Sequence, residues 1–155
     1  MAVFSATTTA EAVVPHQRSS IWDALIDPAL VGRMTPFVKR IEDRGEHWVW
    51  SMAGLEVLGA GFSPTFTERM TLKEQERIEF HHDPAAGAKE RAGVTGWYDL
   101  REVDGGTRLE TSMEICVSLP LPRAAGPAVR TAMKGVMATM GDRFAKNLLE
   151  HLAKG

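Results

Sequence analysis

The sequence has one cysteine, one tyrosine and no long apolar run. A lone Cys116 excludes any intrachain disulfide, and with it the stapled framework of a small secreted domain, so a reducing, cytoplasmic setting is expected. The N-terminus, Met1-Ala2-Val3-Phe4-Ser5-Ala6-Thr7-Thr8-Thr9, has neither the basic nor the apolar region of a secretory signal. No window approaches the ~18 uninterrupted apolar residues of a membrane span, so no stable membrane insertion is expected. A basic excess is missing too: 18 Lys and Arg against 20 Asp and Glu give a net charge of -2, which argues against a nucleic-acid partner.

Other chemistries lack their residues. There is no His-x3-His and no cysteine pair, and His81 and His82, adjacent on a strand, point to opposite faces, so no metal is expected. Gly59-Ala60-Gly61 lacks the third glycine and the following helix of a dinucleotide loop. It reads as a bend or bulge, and no cofactor is implied. Ser19-Ser20 lacks the glycine-flanked elbow of a serine hydrolase, and Cys116 lacks a neighbouring basic motif that would make it a nucleophile.

What is present fits one domain spanning residues 1–155. Apolar residues make up 44% and charged residues 25%, enough to bury a real core without a disordered tail. Residues 3–14, rich in Thr, Val and Ala, read as an opening strand closed by Pro15. Ile21, Trp22, Leu25 and Ile26 fall at helical spacing, and Asp27-Pro28 stops that helix. Pro28 then starts a second short helix running to about Met34, ended by Thr35-Pro36.

From Phe37 to about Leu119 the period is that of strands. Trp48, Trp50 and Met52 share one face, as do Phe66, Glu68, Met70 and Leu72, and likewise Ile78, Phe80 and His82. Asp104-Gly105-Gly106 marks a tight hairpin, after which Leu109, Thr111, Met113, Ile115, Val117 and Leu119 alternate with polar residues and with Cys116 on the outer face. Pro120 and Pro122 end the sheet. The last segment, about 127–153, carries Val129, Met133, Val136, Met137, Met140, Phe144, Leu148 and Leu152 at three- and four-residue steps. It predicts a long amphipathic helix, within which Gly135 and Gly141 mark either close packing or local bends.

This order implies an α+β fold: a strongly curved antiparallel sheet of about seven strands wrapped around a long C-terminal helix, with two short helices between the first and second strands. Together with Val14-Pro15, the run Ile21-Trp22-Asp23-Ala24-Leu25-Ile26-Asp27-Pro28, Gly96-Trp97-Tyr98-Asp99-Leu100 and Gly105-Gly106-Thr107-Arg108-Leu109, it resembles the START-like (SRPBCC) superfamily. That group of helix-grip proteins includes the birch pollen allergen and the polyketide cyclase/dehydrase proteins. The resemblance implies an apolar cavity between sheet and helix, with lipids, sterols, quinones, polyketides or hormones as guests. It implies no shared catalytic signature.

The candidate lining is Trp48, Trp50, Met52, Phe66, Met70, Tyr98, Met113 and Ile115 on the sheet, with Met133, Met137, Met140 and Phe144 on the helix. Eight methionines suit a guest of irregular shape, although the same stripe also serves as plain core. A typical ligand site would measure on the order of 300–1,000 Å³. Glu68 falls on this face, where desolvation would raise its pKa and let it move a proton near neutral pH, unless a bulge turns it to water. His82 is a conceivable partner, but its position before Asp83-Pro84 reads better as an exposed loop histidine. The Tyr98 hydroxyl could orient a ligand carbonyl or find a partner in the protein.

Three functions follow. The first is binding or carrying a hydrophobic small molecule. The second is a cyclase or aromatase in which Glu68, with His82 or Tyr98, moves protons. The third is a regulatory interaction module, which would need an exposed apolar patch around Trp97 and Val103. Either a monomer or a homodimer is compatible with the sequence.

Overall fold

Thirteen residues rich in Thr, Ala and Val form β1 (Ala2–Val14), which lies antiparallel to the last strand, β9 (Gly106–Leu119), from Ala2 opposite Leu119 to Val14 opposite Thr107. The structure is a computed structural model and describes residues 1–155. After β1 come α1 (Arg18–Leu25) and α2 (Pro28–Met34). Asp27 separates them: its Oδ1 accepts the Leu30 N–H at 3.2 Å, capping α2, while Pro28 occupies the first turn where a missing N–H costs nothing. The first helix begins three residues earlier than its apolar spacing indicates, at Arg18.

The remaining strands are β2 (Val38–Arg44), β3 (His47–Met52), β4 (Leu55–Val57), β5 (Ala60–Phe62), β6 (Thr65–Lys73), β7 (Arg77–His82) and β8 (Ala92–Val103). Seven strands make the main sheet in the order β1-β9-β8-β7-β6-β3-β2, so β1 and β2 are its edges. The expected bend at Gly59-Ala60-Gly61 is instead the turn and first residues of a separate hairpin, β4–β5. Leu58 (φ 49°) and Gly59 (φ 80°) are both left-handed, as a two-residue hairpin turn of the type that follows strand twist requires. The hairpin places Val57 and Phe62 in the core.

The β8–β9 turn is closed by Val103 opposite Gly106. A Cβ on Gly106 would fall on the Val14 carbonyl, so only glycine allows β9 to start this close to the end of β1. Thr107 beside it is fully buried, and its hydroxyl donates to the His16 carbonyl at 2.9 Å. The turn after β1 and the turn before β9 are thereby fastened together.

The long helix α3 (Gly126–Lys154) meets the sheet at two separate places. Val129, Met133 and Met137 near its start pack with Phe4, Ala6, Met52, Phe62, Phe66 and Val117. Leu148 and Leu152 near its end pack with Val14, Ile21, Trp22, Phe80 and Leu100. Met140 and Phe144 in its middle are only partly buried, and a Cβ on Gly141 between them would meet nothing within 4 Å. Asn147 ties the second half to α2, its Nδ2 donating to the Met34 carbonyl at 2.9 Å. No helix is long and apolar enough to cross a membrane.

Candidate functional site

The faces follow from strand register. Trp48 stands opposite Glu68 and Trp50 opposite Phe66, so β3 and β6 present Trp48, Trp50, Met52, Phe66, Glu68 and Met70 to the same inner side. Across β7, β8 and β9 that side carries Ile78, Phe80, Tyr98, Met113 and Ile115. Leu72 is the departure: it extends beyond the cover and is 50% exposed.

These residues do not all pack alike. Trp48, Met52, Phe66, Met133 and Met137 are buried. Trp50, Met70, Tyr98, Met113, Ile115, Met140 and Phe144 keep accessible surface although they point inward. They lie against the edges of the two packed clusters, and Val94 touches both. On β1 the same pattern recurs: Phe4, Ala6 and Val14 are buried, while Ala10 and Ala12, on the same face between them, are exposed. Sheet and helix therefore close at both ends and leave a seam in the middle. The Trp50 and Phe66 rings stack at 5.6 Å along one wall, and Phe80 and Tyr98 meet at 5.9 Å and a 52° tilt along another.

Glu68 is the carboxyl side chain of this wall. Only 3% of it is exposed and it forms no ion pair; burial pushes its pKa from 4.5 up to about 8. The Trp50 indole pulls in the opposite direction, by hydrogen bonding toward the carboxyl. That interaction falls short of good hydrogen-bond geometry, for the Trp50 Nε1 is buried without a well-formed acceptor. Tyr98 is pushed up to about 12, first by burial and then by the charge of Glu68, while the Thr111 hydroxyl acts against this. Both groups are therefore protonated near neutral pH.

His82 does not join them. Although it sits opposite Glu68 in register, its Nε2 lies 2.9 Å from Glu90 Oε1. The same carboxylate accepts the Thr67 N–H and hydroxyl, each at 2.8 Å. The His82 ring lies over Gly93, where a Cβ would collide with it. The expectation of an exposed loop histidine is thus corrected: His82 ends β7, half-buried and paired. Glu90, which sequence reasoning missed, has no local signal, because its partners lie 8 and 23 positions away.

Elsewhere the outer face is a charged one. The Arg77 guanidinium stacks 4.7 Å over the Trp97 ring and donates to Asp99 at 2.8 Å, so Trp97 does not centre an open apolar patch. Burial and the nearby Glu114 raise the Cys116 thiol, the opposite of what a nucleophile needs. No three His, Cys, Asp or Glu side chains come together as a metal site would require.

Two hollows open on the surface. One of about 540 Å³ is lined by polar residues including His16, Arg18, Gln75 and Glu102, and one of about 360 Å³ lies between α1, α2 and the end of α3. Neither contains a residue of the seam.

The profile of the family described as "Polyketide cyclase / dehydrase and lipid transport" matches residues 5–149. No curated protein sequence matches the chain. Among solved structures, the protein TTHA0849 of Thermus thermophilus is similar with a TM-score of 0.74 and 15% identity, over 96% of this chain and 98% of that one. The Zhui aromatase/cyclase of Streptomyces sp. R1128 is similar with a TM-score of 0.68 and 13% identity, over 97% of this chain and 94% of that one. A START superfamily protein of Mycobacterium smegmatis is similar with a TM-score of 0.67 and 16% identity, over 97% of each chain. At such identities the likeness concerns the helix-grip fold.

Proposed function

This chain belongs to the polyketide cyclase/dehydrase and lipid transport family, and from that premise we propose that it binds a hydrophobic small molecule between the concave sheet and α3. The observation that carries the reading is the seam. Trp50, Met70, Tyr98, Met113, Met140 and Phe144 face inward, yet remain accessible between two closed cores. Apolar side chains left half-covered gain when a guest covers them, at roughly 25 cal/mol per Å² before the costs of association. Thioethers with several rotatable bonds adapt to guests of different outline. Glu68 and Tyr98 supply the few polar groups that fix orientation in such sites.

A second reading is favoured by one observation, the carboxyl of Glu68 held near pKa 8 inside this wall. A neutral carboxylic acid there can donate its proton to a ketone oxygen as an enol forms, or to a departing hydroxyl that leaves as water, and its carboxylate can take the proton given up by the adjacent carbon. Proton balance is kept within one turnover, and no other reactant is needed. This is cyclase or dehydratase chemistry on a polyketone.

Native mass spectrometry and dye displacement with fatty acids, quinones and aromatic polyketides test the first reading. Saturable one-to-one binding is expected, and its absence across all three classes would overturn it. Glu68→Gln separates the two readings: an enzyme loses turnover of a substrate that it converts, whereas a carrier has no turnover to lose and keeps its guest.

A further inference from the structure

We propose that β1 is the interface of a homodimer, in which two copies of this strand pair antiparallel about a two-fold axis at Thr8 and join their seven-stranded sheets into one. The inference is independent of what the seam holds.

The two edges of the sheet are built differently. β2 carries Lys39, Arg40, Glu42, Asp43 and Arg44, and its register with β3 shifts between Val38 and Arg40. Charged side chains and bulges are the devices that keep an edge strand from pairing with another chain. β1 has neither. It runs from Ala2 to Val14 without a proline or a register shift, and Glu11 is its one charged side chain. That carboxylate already accepts from Arg108 at 2.8 Å, so no net charge guards the edge. A long, neutral, unguarded edge is a template for a further strand.

The direction of its free groups follows from β9. The Ser118 N–H donates to the Arg91 carbonyl on the β8 side, so even-numbered residues of β9 bond toward β8 and odd-numbered ones toward β1. Through the unbroken register, Phe4 opposite Val117 and onward, the even-numbered residues of β1 are engaged with β9. Val3, Ser5, Thr7, Thr9, Glu11 and Val13 therefore turn both N–H and C=O outward. Only a register that sets these residues against one another satisfies both copies.

The side chains choose among such registers. Val3 and Val13, 69% and 55% exposed, are the only apolar members of that row, and they stand equally far on either side of Thr8. A two-fold axis at Thr8 sets each Val3 against Val13 of the second copy. It also sets Thr7 against Thr9 and Ser5 against Glu11, so the two acids do not meet. Cross-strand β-branched and Thr–Thr pairs are favourable ones. On the inner side Phe4 meets Ala12 and Ala6 meets Ala10; Ala10 and Ala12 are exposed, so α3 leaves that stretch of the edge open. An axis at Thr7 would instead set Val3 against Glu11, and one at Thr9 would set Val13 against Ser5.

Sedimentation velocity and light scattering on the full chain test this over about 1–200 μM, the range of weak to moderate dissociation constants. The wild type is expected to reach twice the 17.0 kDa of one chain. Val3→Lys with Val13→Lys places like charges face to face at both ends and should weaken the dimer about tenfold or more. Thr7→Pro removes an outward N–H but no bond to β9, and should weaken it likewise. Val3→Lys with Val13→Glu places opposite charges face to face in this register alone, and should associate about tenfold more tightly than the double-lysine variant.

A wild type that stays at the mass of one chain overturns the inference, and so does a mass that grows past two chains, since a two-fold contact closes on itself. A dimer that tolerates both lysines lies elsewhere on the surface. Equal association of the double-lysine and lysine–glutamate variants refutes the register. Val3 and Val13 are exposed, so these comparisons decide even if Thr7→Pro does not fold.

Discussion

His82 Nε2 and Glu90 Oε1 stand 2.9 Å apart where β7 ends and the chain loops back toward β8. Because Glu90 also takes both polar hydrogens of Thr67, one carboxylate finishes the ladder of β6 where β7 no longer reaches. Removing it leaves a partly buried backbone N–H without an acceptor.

Glu90→Ala is therefore expected to destabilise the fold by about 2–4 kcal/mol, and His82→Ala by less, since only one of three contacts is lost. Urea midpoints at constant slope measure both. Equal loss in the two variants would contradict the assignment of Glu90 as the hub.

Stability should depend on pH through Glu68. Its pKa is raised to about 8 in the folded chain against 4.5 when free, so the native state holds a proton that the unfolded state releases. The contribution is fully present below about pH 4.5, declines as pH rises toward 8, and is flat beyond. The decline should amount to a few kcal/mol and disappear in Glu68→Gln, as read from denaturant titrations at pH 5, 6.5 and 8.5. Chemical denaturation of wild type and variant with the same pH dependence would show that Glu68 is not the group responsible.

Gly141→Ala should raise stability by up to about 1 kcal/mol, because a helical alanine is preferred over glycine and its Cβ meets no atom within 4 Å. Thermal unfolding checks this. A fall in midpoint would mean that the middle of α3 lies closer to the sheet than its exposure indicates.

Thr107→Val should cost about 1–2 kcal/mol: the shape is kept, while the bond from this fully buried side chain to the His16 carbonyl, 2.9 Å long, is lost. Thr107→Ser, retaining the hydroxyl, should recover part of the bond and lose the methyl packing instead. The two variants compared by urea unfolding separate the contributions.

Much of the fold is legible along the chain, for identifiable reasons. Period-two alternation in β3, β6 and β9 and the three- and four-residue steps of α3 report which side of an element is apolar, and Asp27-Pro28 marks a helix boundary by steric and capping chemistry alone. The β4–β5 hairpin stays hidden because three-residue strands are too short to show a period. Within the site, alternation puts Glu68 on the inner face, and burial agrees. Alternation says nothing about depth, so Trp50 and Met52, two positions apart on one face, look identical in sequence and differ in structure. The pairing of His82 is of the same kind, fixed by a loop residue that only the folded chain brings near.

The attachment of α3 at its two ends has a mechanical consequence. A helix seated at Val129–Met137 and again at Leu148–Leu152, with Met140 and Phe144 between the seats packed only against the edges of the two clusters, would yield in that stretch before it yields at either seat. Tolerance of guests of different girth would then be a property of that span, set by the distance between its supports more than by any side chain beneath it.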